Sequence, residues 1–431
     1  MNEKESSEQE VSKIIEKLEK KAFRLGIIVG VAGALIGVAV NVLVRNVILI
    51  QKYRNVSEET ETTEEKKTPK KNDSVVNTKT TLKMATIEKI VKEYYYQDVD
   101  NEALAEGVYT GMMESLGDPY SEYYTVDEMV RIREEGEGVY SGIGAYVNVD
   151  PDTTLPMIAG VMSGTPAEEA GLAEGDLIYK IDGKEVLGMS ASDAVMLIKG
   201  EEHTTVHLTI VRNDEPDFLE MDVERRKIQT PTVKYEMLED NIAYIQIKEF
   251  DDVTTDQFTE AMAVMKGQGM EGLILDLRSN GGGNVSTCVD IASQILPKGV
   301  VVYTEDKNGN RQDYNCDGKR EFDKPIIVLV NGYTASASEI LTGAIRDYGK
   351  GIVMGTQTYG KGIVQQIISL KDGSAIKVTV SKYFTPKGND IHGVGITPDK
   401  VIEWDSEKYK EDGTDNQIEA AKEELRKQIN K

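Results

Sequence analysis

The spacing of apolar positions changes several times along the chain, and each change marks an element or a boundary. The longest unbroken apolar run, LGIIVGVAGALIGVAVNVLV, covers residues 25–44, with Asn41 as its one polar member. At about 1.5 Å per residue, a helix of that length just crosses a hydrocarbon layer, so the run predicts a transmembrane helix. Residues 1–24 before it are charged and locally helical, with Val11, Ile14, Ile15 and Leu18 on one stripe. Five Lys or Arg lie in the 15 residues before the run and three in the 15 after it. That bias keeps the amino end in the cytoplasm. Residues 55–83 are rich in Thr, Glu, Lys and Asn, with few large apolar side chains, and read as a disordered spacer.

Beyond the spacer the period becomes helical. Ile87, Ile90 and Val91, then Leu104, Val108, Met112 and Leu116, predict two helices in an amino-terminal helical domain over residues 84–135, with Gly117-Asp118-Pro119 as a breaker. Residues 136–213 change again. Short apolar strands alternate with glycines (VYSGIGAYV, MIAGVM, DLIYKIDG, TVHLTIV), and two short helices fit at Ala167–Ala170 and Ala191–Ile198. This is a small β module. Its stretch Tyr140-Ser141-Gly142-Ile143-Gly144-Ala145 presents backbone amides beside a strand edge, an arrangement that can hold a carboxylate and accept an extended peptide.

Residues 214–405 alternate buried strands (Ile242–Ile247, Leu273–Leu277, Ile326–Val330) with helices (Thr254–Met265, Val285–Leu296, Ala335–Asp347). That alternation predicts a layered α/β core. VQQIISL and AIKVTVSKYF follow as antiparallel strands, and residues 406–431 form a charged helical tail.

Composition narrows the function classes. Acidic residues outnumber basic ones, 74 to 50, for a formal charge of −24, which disfavours nucleic-acid binding. Only three histidines (His203, His207, His392) and two cysteines (Cys288, Cys316) are present. His203 and His207 have helical ligand spacing but lack a zincin glutamate and read as strand or turn residues. The cysteines do not make a disulfide framework, although a bond between them is an option outside the cytoplasm.

Two stretches that could carry chemistry follow buried strands, where open α/β sheets bind ligands. In Asp276-Leu-Arg-Ser-Asn-Gly-Gly-Gly-Asn284, three glycines allow close backbone approach, and their amides could face an oxyanion. In Val330-Asn-Gly-Tyr-Thr-Ala-Ser-Ala-Ser-Glu339, small residues join a strand to a helix and place Ser336 near the first helical turn. This layout suits a nucleophile, and equally a helix cap. A serine nucleophile needs a base. His392 is one candidate. Lys361, flanked by glycines and apolar residues in Thr358-Tyr-Gly-Lys-Gly-Ile-Val-Gln365, is the other, because a dry pocket favours the neutral amine.

These motifs and their order resemble the carboxyl-terminal processing proteases, the tail-specific serine peptidases of the S41 type, over residues 84–403. The resemblance rests on LILDLR-x-N-x-GG, ASASEI, TYGKG-x-VQ, Tyr-Phe-Thr-Pro-x-Gly and GVGITPD, and on GTPAEEAGLAEGDLIYKIDGKEV (164–186), which is similar to a PDZ domain. It implies a layered α/β serine peptidase core with an inserted PDZ-like module. It also implies a serine–lysine dyad of Ser336 and Lys361, with Gln365 positioning the lysine. The amides of Ala337 and Gly282, or the adjacent Gly283, would form the oxyanion hole, and residues 140–145 would hold the substrate carboxylate. Ser338 and Glu339 resemble helix-start packing positions. The family commonly has Asn-Pro-Gly-Gly where this chain has Asn280-Gly-Gly-Gly283, and Gly-Ser-Ala-Ser-Ala-Ser where it has Tyr333-Thr-Ala-Ser-Ala-Ser338. No metal or organic cofactor is implied. The implied partners are proteins with exposed carboxyl ends and, through one helix, the cell membrane, with the catalytic body extracytoplasmic. The oligomeric state is open, a homodimer being one option. The rival functions are a non-catalytic PDZ-type scaffold and a serine hydrolase that uses His392.

Overall fold

The computed structural model describes residues 74–213 and 215–430. The expected segment 1–24, the membrane helix 25–44 and most of the spacer 55–83 lie outside the described residues. Among the described residues no helix is long and apolar enough to cross a membrane. The chain divides into two units, residues 1–98 and 99–431. Helix α1 (Thr78–Tyr94) belongs to the first, and none of its side chains is buried. It starts inside the expected spacer because Asn77 Oδ1 accepts the Thr80 N–H at 3.0 Å and caps it.

The second unit opens with α2 (Asn101–Glu114), strand β1 (Glu122–Tyr124) and α3 (Val126–Glu137). Thr125 and Glu128 close a capping box at the start of α3, and Gly138, at φ 67°, ends it. The β module follows as β2 (Val139–Gly142), β3 (Ala145–Val149), β4 (Pro156–Val161), α4 (Pro166–Glu169), β5 (Leu177–Ile181), β6 (Lys184–Glu185), α5 (Ala191–Ile198), β7 (Thr205–Val211), β8 (Leu219–Glu224) and β9 (Arg226–Gln229). Its main sheet has the order β3-β4-β5-β7-β8, so β3 is an edge strand, while β2 pairs separately with β9. Ile158, Ile178, Leu208 and Ile210 are fully buried at its centre. The module does not stop at residue 213. β8 pairs with β7 from Thr205↔Glu224 to Ile210↔Leu219 and adds Val223 to the same core. His203 lies in a turn at φ 66°, and His207 lies in β7 between Asp222 and Glu220.

The remaining elements are β10 (Val233–Met237), β11 (Ile242–Ile247), α6 (Thr254–Gly267), β12 (Gly272–Asp276), α7 (Val285–Ala292), β13 (Gly299–Asp306), β14 (Arg311–Cys316), β15 (Ile326–Val330), α8 (Ala337–Asp347), β16 (Gly351–Gly355), β17 (Ile363–Ser369), β18 (Ala375–Phe384), β19 (Lys400–Val401), α9 (Ser406–Asp412) and α10 (Asn416–Ile429). A six-stranded sheet runs β10-β11-β12-β15-β16-β19, parallel except for the β10–β11 pair. Every residue of β12 and β15 is buried, which explains their apolar sequences; the one charge, Asp276, is held by Arg278 and the Tyr244 hydroxyl. One face packs Leu275 and Val328 with Phe258, Ile291 and Leu341 from α6–α8. The other packs Ile274, Ile327 and Leu329 against Ala421 and Leu425 of α10. A second sheet has the order β1-β18-β13-β14, with β17 also paired to β18.

The charged tail is part of the core: its stripe of Ile418, Ala421 and Leu425 covers the sheet, and Arg278 holds its start through Gln417 (2.8 Å) and Asp415 (2.8 Å). The two cysteines do not pair. Both are free and buried, and their thiols donate to carbonyls, Cys288 to Ala337 at 3.2 Å and Cys316 to Pro297 at 2.9 Å. Because the Leu425 side chain is fully buried on the outer face of the sheet, Leu425→Ala is expected to lower unfolding free energy by about 2–5 kcal/mol, read by urea denaturation.

Candidate functional site

Both chemical stretches leave the carboxyl ends of neighbouring parallel strands, β12 and β15, and their loops are tied together. Thr334 Oγ1 donates to the Leu277 carbonyl at 2.8 Å, and Ala335 N–H to the Asn280 carbonyl at 3.0 Å. Ser338 Oγ donates to the same carbonyl at 3.0 Å, and Asn280 Nδ2 reaches back to the Ile247 carbonyl at 2.9 Å. Between these ties Ser336 takes φ 55°, ψ −119°, a left-handed φ that an L-residue adopts only when its surroundings impose it. The fully buried Tyr383 ring also holds the turn, its hydroxyl donating to the Ser336 carbonyl at 3.0 Å. Ser336 and Glu339 close a capping box at the start of α8, and the Glu339 N–H also donates to the Ser336 carbonyl at 2.9 Å.

The clamp on this turn is Glu339, whose side chain is fully buried. Its Oε1 accepts Thr358 Oγ1–H at 2.6 Å and Gly360 N–H at 2.8 Å; its Oε2 accepts Lys361 N–H at 2.8 Å and Ser336 N–H at 3.0 Å. Four donors satisfy a buried carboxylate that would otherwise be costly. One oxygen atom therefore carries the backbone of both Ser336 and Lys361. The sequence reading missed this role and took Glu339 for a packing position. The available signal was the S-x-x-E spacing of Ser336 and Glu339, the sequence form of a capping box.

Lys361 is half-buried, and its amine lies 4.7 Å over the Tyr120 ring. Tyr120 O–H and Tyr359 O–H are 3.3 Å apart, which links the Asp118–Ser121 turn to the lysine loop. Burial pushes the Lys361 ammonium below its ordinary pKa, and repulsion from Lys377 adds to the effect, while Glu122 and Asp118 oppose it. Among the described residues the amine forms no hydrogen bond to Ser336. Gln365 Nε2 donates to Thr379 Oγ1 at 3.2 Å, and Thr379 N–H donates to Ser121 Oγ, so Gln365 braces the wall of the lysine pocket; among the described residues it makes no hydrogen bond to Lys361. His392 is exposed, with its backbone packed against Gly362.

The expected oxyanion donors divide. Ala337 N–H opens α8 and has no partner among the described residues. Gly282 N–H is taken by Asn280 Oδ1 at 2.8 Å. Gly283 N–H has no partner among the described residues, and the carbonyl of Gly282 and the N–H of Asn284 bracket Phe250, at 3.0 and 2.7 Å. The free amide beside Gly282 is thus that of Gly283. A Cβ on Gly282 (φ 109°) would lie 2.7 Å from Ser336 Cβ, and one on Gly283 (φ 137°) 2.5 Å from the Phe250 carbonyl, so both positions require glycine.

In the β module, Tyr140–Gly142 lie in β2, and Ile143 and Gly144 turn the chain into edge strand β3, which starts at Ala145. Ile143 is buried, and Gly144, at φ 83°, packs on Thr165. The N–H groups of Ile143 and Gly144 have no partner among the described residues. Ser141 Oγ is buried without a partner. Lys199 Nζ sits 4.7 Å over the Tyr140 ring and pairs with Glu134 at 2.7 Å, joining the module to α3.

Residues 241–402 match peptidase family S41, residues 157–212 match a PDZ domain, and residues 40–128 match the activating protease CtpB N-terminal domain. The chain is 36% identical over 331 residues to a probable CtpA-like serine protease of Staphylococcus aureus (strain COL), covering 76% of this chain and 65% of that relative. It is 37% identical over 309 residues to the carboxy-terminal processing protease CtpA of Bacillus subtilis (strain 168), covering 72% and 66%. Among solved structures it is similar to the photosystem II D1 C-terminal processing protease, with 30% identity, 74% and 86% coverage and a TM-score of 0.44.

Glu339→Gln replaces one acceptor oxygen with a donor that faces other donors. It is expected to lower kcat about 100-fold with little change in KM, measured on a peptide substrate. Removing the Lys377 charge as Lys377→Gln takes away a repulsion and frees Glu122 to favour the ammonium. The Lys361 pKa is then expected to rise, read by NMR titration of the amine in the two proteins.

Proposed function

From a chain that carries a peptidase family S41 domain with a PDZ domain before it, we propose a membrane-anchored serine endopeptidase that cuts proteins near their carboxyl ends. The observation that supports this best is the shared oxygen of Glu339, which presents Ser336 and Lys361 from one point. In this reading the neutral Lys361 amine, its protonated form disfavoured by burial, takes the Ser336 proton as Oγ attacks the scissile carbonyl. The oxyanion forms against the N–H of Ala337 and of the glycine loop. Protonated Lys361 gives its proton to the leaving amine, and a water activated by the same amine releases the acyl-enzyme. The ring of Tyr120 shields the lysine at rest, and Gln365 steadies the pocket wall through Thr379.

The β module supplies capture. An extended carboxyl-terminal peptide adds to the free edge of β3, and its carboxylate sits on the unpartnered amides of Ile143 and Gly144. The names of the staphylococcal and Bacillus relatives, a serine protease and a carboxy-terminal processing protease, agree with this reading. The chain spans 65% and 66% of their lengths. The apolar run at 25–44 anchors the body to the cell membrane on its extracytoplasmic side.

Ser336→Ala and Lys361→Ala, each with His392 intact, are expected to cut peptide hydrolysis by at least about 1,000-fold. Full activity in Lys361→Ala would instead give the base role to another group. In the unaltered protein kcat/KM is expected to rise with pH as Lys361 loses its proton, with a midpoint below the ordinary lysine value of 10.5.

A further inference from the structure

A cavity of about 470 Å³ lies against the glycine loop. Its walls are Ile132 and Glu135 of α3, Glu249, Asp251 and the loop 281–284. It holds several times one water's share of liquid volume, about 30 Å³. The loop that forms one wall also packs on the nucleophile: the position of a Cβ on Gly282 is 2.7 Å from Ser336 Cβ and 3.0 Å from Ala337 N. The same glycine loop therefore borders both the nucleophile turn and this cavity.

The cavity carries an unanswered charge. Asp251 is only 6% exposed. Its N–H donates to Thr254 Oγ1 at 3.0 Å and its carbonyl accepts Thr254 N–H at 3.0 Å, yet among the described residues its carboxylate accepts no hydrogen bond. The charged groups facing it are all acidic: Glu249 and Asp252 from its own loop and Glu135 from α3. Asp252 is bound by Asn284 Nδ2 at 2.7 Å, and none of these four carboxylates joins an ion pair among the described residues. Burial and these neighbours push the Asp251 carboxyl up to about 7. An unpaired buried carboxylate is unfavourable until a cation reaches it. The acidic groups do not form a metal-holding set, since no group of three His, Cys, Asp or Glu among the described residues is placed to hold an ion.

We infer that this cavity is a substrate subsite for a basic side chain, Lys or Arg, lying within two residues of the cut, with Asp251 as its charge partner and Glu249 and Glu135 as its acidic rim. The inference rests on the peptidase reading above and deepens it. The amine or guanidinium enters past the glycine loop, displaces cavity water and pairs with the Asp251 carboxylate on the cavity wall. Because the carboxyl loses its proton as pH rises through about 7, the preference for a basic residue strengthens across that range.

The test uses the full-length protein and peptide pairs identical except for lysine or norleucine at each position flanking the cut. The expected result is a lysine-to-norleucine ratio of kcat/KM of about tenfold or more at one position at pH 8, falling towards one in Asp251→Asn and partway in Glu249→Gln. A ratio near one at every position in the unaltered protein, a ratio that survives Asp251→Asn, or a preference that appears only on adding calcium or magnesium would each overturn the subsite. Labelling of Ser336 by a fluorophosphonate, with circular dichroism of each variant, separates the two failures. Labelled, folded protein without a lysine preference removes the subsite alone, whereas a Ser336 that neither labels nor cleaves removes the peptidase reading and the subsite with it.

Discussion

The Glu339 carboxylate sets the geometry on which the rest of the site depends. It is fully buried, and four donors from two separate loops converge on it. Burial removes water as a competing partner, so the carboxylate is stable only if the Ser336 turn and the loop Thr358–Lys361 are both in place. The strained φ of Ser336 persists for the same reason: its N–H is held by Glu339, its carbonyl by Tyr383, and the preceding residues by Leu277 and Asn280. These ties cross from β15 to the loop after β12, and they work because the two strands are parallel neighbours whose carboxyl ends open side by side.

The lysine pocket is assembled from parts remote in sequence. Its ceiling is Tyr120, from the turn before β1, and its wall is β18 with Lys377 and Thr379. Strand β1 pairs with β18 from Glu122↔Lys377 to Tyr124↔Ala375, which fixes the Asp118–Ser121 turn over Lys361. Two opposing forces act on the amine there. Lost hydration and the Lys377 charge favour the neutral form, and the aromatic face favours the ammonium by about 0.5–1 kcal/mol at a partly exposed position.

Where burial alone decides an element, the sequence was enough. Ile242–Ile247, Ile326–Val330 and Ala191–Ile198 have the limits that their apolar runs predict. Strand β8 was lost because LEMDVE alternates with acids and reads as a polar linker, although its inward Val223 completes the module core. The last helix was read as helical, but its charged residues hide the stripe of Ile418, Ala421 and Leu425 that covers the sheet. In the site, the local motifs singled out Ser336 and Lys361 as candidates, and only the family resemblance chose them over a helix cap and His392. The clamp was not, since Glu339 bonds residues 19–22 positions away. Nor was the state of Gly282, whose amide is taken by a side chain that composition cannot orient.

One carboxylate oxygen, Glu339 Oε2, holds the backbone of Ser336 and of Lys361 together. The most direct measurement is a crystal structure of the protein with a peptidyl inhibitor covalently attached to Ser336 Oγ. The account predicts that both Glu339 Oε2 contacts remain and that the Lys361 amine has left the Tyr120 ring to lie at hydrogen-bond distance, about 3 Å, from Ser336 Oγ. An acylated structure in which the amine stays over the ring, with another side chain hydrogen-bonded to that oxygen, would contradict it.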